Sequence, residues 1–191
     1  MGKLIYLLTT SVDGYVSDKS GNFDFTTPSE EVHRCINENL RNVGTFLFGR
    51  KVYELMKVWD AMPANDESEA TNEFAEIWRG ASKIVYSSSL SEVTTDNTSL
   101  ERVFDLEEIQ KMMSESDKDF NIGGPHLATS AIKANIIDEY HQFIAPVILG
   151  NGTNWLPENM TSQLELTALQ KFDNGTVHLQ YNKSNGTPHH F

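Results

Sequence analysis

Short apolar runs alternate with helical patterns through the first 135 residues of this chain, and this alternation restricts its fold more than any other feature. The apolar runs cover residues 3–9, 45–48, 82–86 and 120–122 and are rich in β-branched and aromatic side chains. Because they are apolar on successive residues, they are typical of strands that are covered on both faces. The alternation therefore predicts an α/β fold with a mostly parallel sheet.

The segments between these runs carry helical patterns. The clearest covers residues 29–42, where Ser29 is a good N-cap residue and Glu30 and Glu31 place acids in the first turn. Apolar residues then follow at helical spacing. Similar patterns predict helices over residues 50–59, 68–79, 106–113 and 125–135.

The pattern changes after residue 136, where three segments in a row have strand character. They cover residues 137–149, 163–172 and 176–181, and Asp173-Asn174-Gly175 joins the last two. Asn-Gly is a strong hairpin signal. We therefore expect a three-layer αβα fold, in which a mixed, mostly parallel sheet carries helices on both faces and an antiparallel hairpin at its C-terminal edge.

The length of 191 residues favours one domain, since a typical domain has roughly 150 residues. We assign the domain to residues 1–183, with an exposed loop at 61–70 and a loose tail at 184–191. The pair His189-His190 in this tail is interpreted as a chance match rather than a metal site.

Charge and composition exclude several classes of function. The 15 Lys and Arg residues and 27 Asp and Glu residues give a net charge of −12, which would repel nucleic acid and anionic lipid. The longest apolar stretches have about five residues, against the ~20 that a membrane helix needs, and no export signal is visible. The one cysteine, Cys35, and the scattered histidines give no disulfide and no metal-site spacing. We expect a cytoplasmic protein that binds neither nucleic acid, membrane nor metal.

Three polar motifs stand where a predicted parallel strand ends. They are Gly49-Arg50-Lys51, Ser87-Ser88-Ser89 and Gly123-Gly124-Pro125. Open α/β sheets bind ligands at these strand ends, where glycine lets the backbone approach a phosphate and Arg or Ser donates hydrogen bonds. Each motif alone also fits an ordinary strand exit or turn, and the Gly-Gly pair lacks the third glycine of the Rossmann fingerprint. Together they predict a dinucleotide site.

Five longer segments, in a fixed order, carry a resemblance to a known family. They are TSVDGYV at residues 10–16, FGRKVYE at 48–54, KIVYSS at 83–88, NIGGPHL at 121–127 and IAPVILGNG at 144–152. The chain resembles the dihydrofolate-reductase-like fold, and more narrowly the reductase domain of bifunctional riboflavin-biosynthesis deaminase-reductases and its stand-alone relatives. The resemblance implies NADPH bound along the sheet crevice and hydride transfer to a small heterocyclic or ribosylated substrate, as in 5-amino-6-(5-phosphoribosylamino)uracil reductases. It also implies a symmetric homodimer whose interface includes the C-terminal strands.

The resemblance assigns cofactor roles at two of the strand ends. Arg50 and Ser88 match the positions that meet the 2′-phosphate of the adenosine ribose, with Ser87 beside them. Gly49 and Lys51 match backbone donors to phosphate at a helix start. These residues would favour NADPH over NADH.

The third strand end matches the pyrophosphate turn of the family. This turn comprises Gly123, Gly124, Pro125 and His126, and the family pattern implies a cis peptide bond between the two glycines. A methyl group on Gly124 is expected to weaken cofactor binding with little loss of fold. Val52 departs from the pattern, because folate-specific members often carry a hydroxyl residue there.

The substrate side of the site is predicted from four residues. Asp13, in the loop that the family places beside the nicotinamide, is the candidate substrate contact or proton relay, and a turn aspartate is the alternative. His33 stands sixteen residues before Gly49, where folate reductases carry an acid, and a protonated imidazole there would favour an anionic ligand. Trp59 is a candidate pocket wall or a core residue, and Gln142 is a candidate for the same pocket.

The missing acid leaves two functions open besides the riboflavin type of reductase. One is a dihydrofolate or pterin reductase with a different pocket residue. The other is an NADP-binding module of the same fold that has no reductase activity.

Overall fold

The computed structural model describes residues 1–63 and 68–184, and these residues form ten strands and five α-helices. The strands are β1 (Leu4–Thr10), β2 (Tyr15–Asp18), β3 (Val43–Gly49), β4 (Ser82–Tyr86), β5 (Thr98–Glu101), β6 (Asp119–Gly123), β7 (Glu139–Ile144), β8 (Gly152–Asn154), β9 (Leu164–Lys171) and β10 (Val177–Lys183). The helices are α1 (Glu30–Leu40), α2 (Arg50–Met56), α3 (Glu69–Gly80), α4 (Leu106–Glu115) and α5 (Pro125–Lys133), and short 3₁₀ helices cover Asp24–Thr26 and Lys57–Asp60.

Eight of the strands form one mixed sheet in the order β5-β4-β3-β6-β1-β7-β10-β9. All neighbours from β5 to β7 are parallel, whereas β10 is antiparallel to both β7 and β9. The two remaining strands, β2 and β8, form a small antiparallel sheet. The predicted α/β architecture with an antiparallel C-terminal edge is confirmed.

Side chains of the central strands alternate between two cores, one on each face of the sheet. On one face Leu4 and Tyr6 of β1 belong to a core with α4 and α5. On the other face Ile5 of β1 and Phe46 of β3 belong to a core with α3 and its buried Trp78. Because both faces of each central strand are buried, apolar residues follow one another without alternation, which is the pattern seen in the sequence.

Helix α1 covers the second face toward the C-terminal edge of the sheet. Its N-cap is Ser29, whose side chain accepts a hydrogen bond from the Val32 N–H at 3.4 Å. Val32 and Cys35 pack against Phe143 of β7 and Phe172. The capping and the buried face predicted for this helix are confirmed.

The C-terminal hairpin turns where the Asn-Gly signal stands. The Gly175 N–H donates to the Phe172 carbonyl at 3.0 Å, and Gly175 has a φ of +85°, which favours glycine. The segment 137–149, predicted as one strand, is shorter in the structure, since β7 ends at Ile144. Pro146 lacks the N–H that a longer ladder would need.

The main differences from the sequence prediction are three strands and the end of helix α2. Strands β2, β5 and β8 were not predicted, because they have only three or four residues with few apolar ones. The helix predicted over residues 50–59 ends at Met56 and continues as a 3₁₀ helix. Residues 64–67 of the predicted loop at 61–70, and residues 185–191 of the predicted tail at 184–191, lie outside the described residues. No helix within the described ranges has the length and hydropathy of a membrane span.

Candidate functional site

The three predicted ligand motifs end at one edge of the sheet. Strands β4, β3 and β6 are parallel neighbours, and their register pairs Gly49 with Tyr86 and Phe48 with Gly123. The residues that follow these strands therefore lie side by side at the carboxyl edge, which is where open α/β sheets bind ligands.

The Gly123-Gly124 turn is packed tightly against Phe48 of β3 and Val52 of α2. A Cβ on Gly123 would lie 2.6 Å from the Phe48 ring, and a Cβ on Gly124 would lie 2.6 Å from a methyl group of Val52. Gly124 also has a φ of +90°. The described residues contain no cis peptide bond, so the expected cis bond between the two glycines is wrong. The glycines are needed for the contact between β6 and α2 and for the positive φ that starts α5.

Arg50 and its neighbours at the start of α2 are exposed. The Arg50 side chain is 45% exposed, and its Nε lies 3.9 Å from Glu54 one turn later. Such a long pair between exposed groups contributes little stability, so the guanidinium can turn toward a ligand. Lys51 is exposed beside it.

The serines after β4 form a tight turn. The Ser87 hydroxyl oxygen accepts the N–H groups of Ser89 and Leu90 at 3.2 and 3.0 Å. The Nη1 group of Arg102 donates to the carbonyl oxygens of Ser87 and Leu90 at 2.8 and 2.6 Å. Ser87 is therefore occupied in holding the turn, whereas Ser88 is exposed on it.

Asp13 joins two loops that the sequence places far apart. Its carboxylate accepts the backbone N–H groups of Leu149 and Gly150 at 3.1 and 2.7 Å. A hydrogen bond from the Ser11 side chain and these two N–H groups hold the pKa of the Asp13 carboxyl below its usual value. An ionised, hydrogen-bonded aspartate is an acceptor at neutral pH, so it fits the positioning of these loops better than the donation of a proton.

The rings of His33 and Trp59 lie close together, whereas their predicted role in binding a substrate stays a prediction. The His33 ring lies 5.9 Å from Trp59 and 5.8 Å from Phe74 of α3, measured between ring centroids. Burial lowers the pKa of His33. The ring is therefore neutral at pH 7, and the preference for an anionic ligand that a charged imidazole would give is not expected.

Gln142 lies on the opposite face of the sheet from α1. Its neighbour Phe143 packs against α1, and successive side chains of a strand point to opposite faces. The Gln142 amide donates to the Thr10 hydroxyl at 3.0 Å. The structure does not bring Gln142 together with His33.

A groove of about 340 Å³ begins at the first turn of α5. Pro125, His126 and Thr129 line one side, and Gly152 and Asn154 of β8 line the other. Apart from the glycines of the segment 144–152, no sequence pattern indicates β8 as a wall of this groove. The groove extends the candidate site beyond the Gly123-Gly124 turn.

A second group of titratable side chains, largely buried except for Lys3, lies under α1, away from this edge. His141 Nδ1 lies 3.1 Å from His178 Nε2, and His141 Nε2 lies 3.3 Å from Glu139, which pairs with Lys3 at 2.6 Å. His178 Nδ1 lies 3.8 Å from Cys35 Sγ. Within the described residues no three His, Cys, Asp or Glu side chains are arranged to hold a metal ion. These groups form a polar chain across the core.

The sequence matches the family of RibD C-terminal domains over residues 2–178. The chain belongs to this family. Among curated proteins, the chain is 25% identical over 181 residues to the uncharacterized protein YyaP of Bacillus subtilis, with 94% of each chain covered. The predicted family is therefore confirmed.

Solved structures share the fold. A putative riboflavin biosynthesis protein from Shewanella sp. PV-4 superposes with a TM-score of 0.75 at 18% identity, covering 97% of this chain and 100% of that one. Dihydrofolate reductase from Enterococcus faecalis, solved with NADP(H), superposes with a TM-score of 0.63 at 15% identity, covering 96% of this chain and 97% of that one. The RibD C-terminal domain therefore has the dihydrofolate-reductase-like fold in this protein.

Proposed function

We propose that this protein is an NADPH-dependent reductase of the riboflavin-biosynthesis type, which transfers hydride to a small polar heterocyclic or ribosylated substrate. The observation that carries the proposal is the common edge of β3, β4 and β6, where Arg50, Ser88 and the Gly123-Gly124 turn end side by side. Membership of the RibD C-terminal domain family and a fold shared with a reductase solved with NADP(H) support it.

The open space at Gly49 supports a cofactor phosphate at this edge. Its φ of −80° and ψ of 163° suit any residue, and a Cβ there would meet no described atom within 4 Å. Neither backbone strain nor packing therefore explains a glycine at this position. A phosphate group does explain it, because it needs the space that a Cβ would fill.

The residues of this edge have separate roles in the proposed complex. Arg50 and the Ser88 hydroxyl bind the 2′-phosphate, and the backbone at Gly49 and Lys51 binds phosphate oxygens. The start of α5, at Pro125 and His126, lies at the pyrophosphate. Pro125 has no N–H, but the N–H groups of His126 and Leu127 have no partner within the helix. NADPH, when bound, supplies the hydride.

On the substrate side, the chain positions the ligand and excludes water. The neutral ring of His33 and the face of Trp59 form a wall suited to an uncharged heterocycle. Asp13 holds the loop of residues 11–15 against the turn at 149–150. Because its pKa is lowered, we assign the proton to water rather than to Asp13.

Two observations support a second function. His33 stands where folate reductases carry an acidic residue, and Asp13, the one carboxylate of the neighbouring loop, already accepts hydrogen bonds from backbone N–H groups. Both features fit an NADP-binding module without reductase activity. They disfavour reduction of dihydrofolate or another pterin, which would need a free acid.

The experiment that tests the function combines binding and turnover. NADPH and NADH are titrated by fluorescence, and NADPH oxidation is followed with pterins, aldehydes and ribosylaminopyrimidines. We expect NADPH to bind about tenfold more tightly than NADH, because charge-assisted hydrogen bonds to the 2′-phosphate are worth roughly 1.5–3 kcal/mol each before screening. Arg50→Ala should remove most of this preference, and turnover should occur with a ribosylaminopyrimidine. Equal affinities would reject the cofactor assignment, and NADPH binding without any turnover would favour the binding module.

We also propose that the protein is a symmetric homodimer that uses its C-terminal strands. Strand β9 is an edge of the large sheet, and it exposes Leu166 and Leu169 to 50% and 65%. Exposed apolar residues on a sheet edge favour association with a second copy.

A further inference from the structure

Arg102 stands at the carboxyl edge of the sheet, in register with the residues that begin the proposed 2′-phosphate site. The parallel register pairs Gly49 with Tyr86 and Tyr86 with Glu101. Arg50, Ser87 and Arg102 each follow one of these paired residues. Since neighbouring strands are about 4.8 Å apart, the backbones of Gly49 and Glu101 lie about 10 Å apart, with the serine turn between them.

The Arg102 side chain is fixed on the serine turn rather than free in solvent. Its Nη1 donates to the carbonyls of Ser87 and Leu90 at 2.8 and 2.6 Å, which bracket the exposed Ser88. Among the described residues, none accepts a hydrogen bond from its Nη2 or Nε, and no carboxylate forms an ion pair with it. Three N–H donors of a positioned guanidinium therefore stay available beside Ser88.

These positions place one arginine residue on each side of the serine turn. Arg50 follows β3 on one side, and Arg102 follows β5 on the other. A phosphate that accepts the Ser88 hydroxyl would be reached by both cations, whereas a ribose 2′-hydroxyl would gain little from either. A second cation would therefore increase the preference in affinity for NADPH over NADH.

We propose that Arg102 is a second specificity-determining residue of the cofactor site, which binds the 2′-phosphate from the side opposite to Arg50 while it holds the Ser87–Leu90 turn. This inference rests on the proposed NADPH-dependent function and adds a residue to the cofactor selection that the family resemblance assigned to Arg50 and Ser88.

The experiment compares four proteins in their ability to bind NADPH, NADH and adenosine 2′,5′-bisphosphate by isothermal titration calorimetry at one salt concentration. The variants are Arg102→Gln, Arg50→Gln and, as a control with the same charge change on α4, Lys111→Gln. We expect Arg102→Gln to weaken NADPH and the bisphosphate about tenfold, with NADH within about twofold of wild type. Lys111→Gln should leave all three affinities within about twofold, because screening limits the effect of a distant charge.

The ratio of affinities separates recognition from a purely structural role. If Arg102 only held the turn, Arg102→Gln would weaken NADPH and NADH by the same factor, and the proposal would be overturned. In that case an NADPH preference in the wild type would still leave the proposed function intact. A wild-type protein that binds none of the three nucleotides would reject the function and this inference together.

A second variant keeps the test valid if Arg102→Gln does not fold. Arg102→Lys keeps the positive charge and one donor to the turn, so we expect a folded protein whose NADPH to NADH preference falls by about threefold. A preference equal to wild type in Arg102→Lys would show that the planar, two-sided donation of arginine is not used, which contradicts the proposed geometry.

Discussion

At Gly49 the fold does not require a glycine, whereas the proposed ligand does. Its backbone suits any residue, and a methyl group would meet no described atom within 4 Å. We expect Gly49→Ala to leave the thermal midpoint within about 2 °C of wild type and to weaken NADPH binding about tenfold or more, because the added carbon occupies the space of a phosphate oxygen.

Gly80, at the end of α3, offers a matched control for this change. A Cβ there also meets nothing within 4 Å, and the residue precedes β4 at the amino edge of the sheet. Gly80→Ala should therefore keep wild-type NADPH affinity. Normal affinity in a folded Gly49→Ala protein would mean that the open space at Gly49 is not used by the cofactor.

His178 links single-residue chemistry to stability. Burial, followed by the neighbouring His141, lowers the pKa of His178 to about 4, and its ring stacks on Phe143 at 4.2 Å. In the unfolded chain the pKa is about 6.5. As the pH falls from about 6.5 to about 4, His178 becomes protonated in the unfolded chain but stays neutral in the folded protein. The free energy of unfolding therefore falls by up to roughly 3 kcal/mol.

Urea unfolding between pH 7 and pH 4, without nucleotide, checks this prediction. In His178→Gln the slope over this range should be much smaller, whereas replacing the exposed His126 by Gln should keep the wild-type slope. Equal slopes in wild type and His178→Gln would locate the acid sensitivity elsewhere. Glu139, whose pKa of about 2 is lowered mainly by its hydrogen bond with His141, contributes stability that is present above pH 4.5 and is lost only as the pH falls toward 2.

At the scale of elements, the junction between β6 and α2 depends on the absence of side chains at residues 123 and 124. A Cβ on Gly124 would lie 2.6 Å from a Val52 methyl group, and a Cβ on Gly123 would lie equally close to the Phe48 ring of β3. This packing argues against the expectation that Gly124→Ala causes little loss of fold. We expect this variant to lose roughly 2 kcal/mol or more, from overpacking and from the φ of +90°.

Combining Gly124→Ala with Val52→Ala separates the cost of overpacking from the cost of the positive φ. The second change removes the methyl groups that block the Cβ, so the double variant should lose less stability than the sum of the single variants. Chemical denaturation of the four proteins measures this coupling. Strict additivity would contradict the contact between Val52 and residue 124.

Short strands decide which elements reach the site, and they were the elements that sequence patterns missed. Strand β5 has four residues and β8 has three. Their pairing partners, β4 and β2, stabilise them through backbone hydrogen bonds that leave no apolar pattern. Without β5 the register that places Arg102 beside Ser87 could not be inferred.

At the scale of the whole molecule, the exposed edge strand predicts association. The register of β9 pairs Leu166 with Tyr181 and Leu169 with Leu179, with a bulge between the two pairs. Because Tyr181 and Leu179 are two residues apart on β10, the bulge places both exposed leucines on one face of the sheet. Such a patch is self-complementary in a two-fold dimer.

Light scattering at low concentration tests this association. The wild type should have twice the chain mass of 21.5 kDa, and Leu166→Glu with Leu169→Glu should reduce it to one chain mass. The same change at Val103, which is 71% exposed and away from the hairpin, should not alter the mass. A wild-type protein of about one chain mass would reject the dimer.

Local patterns are enough to predict the fold class, the α1 cap, the hairpin turn and the three strand ends. These patterns are successive apolar residues, Ser29 before acids, Asn-Gly, and glycine or serine after a strand. The contacts that these residues make depend on the tertiary structure. It committed Asp13 to the turn at 149–150, put Gln142 on the face opposite His33, and made Gly124 necessary for packing against Val52. These outcomes depend on strand order, register and side-chain direction across segments separated by up to about 140 residues, which no local pattern contains.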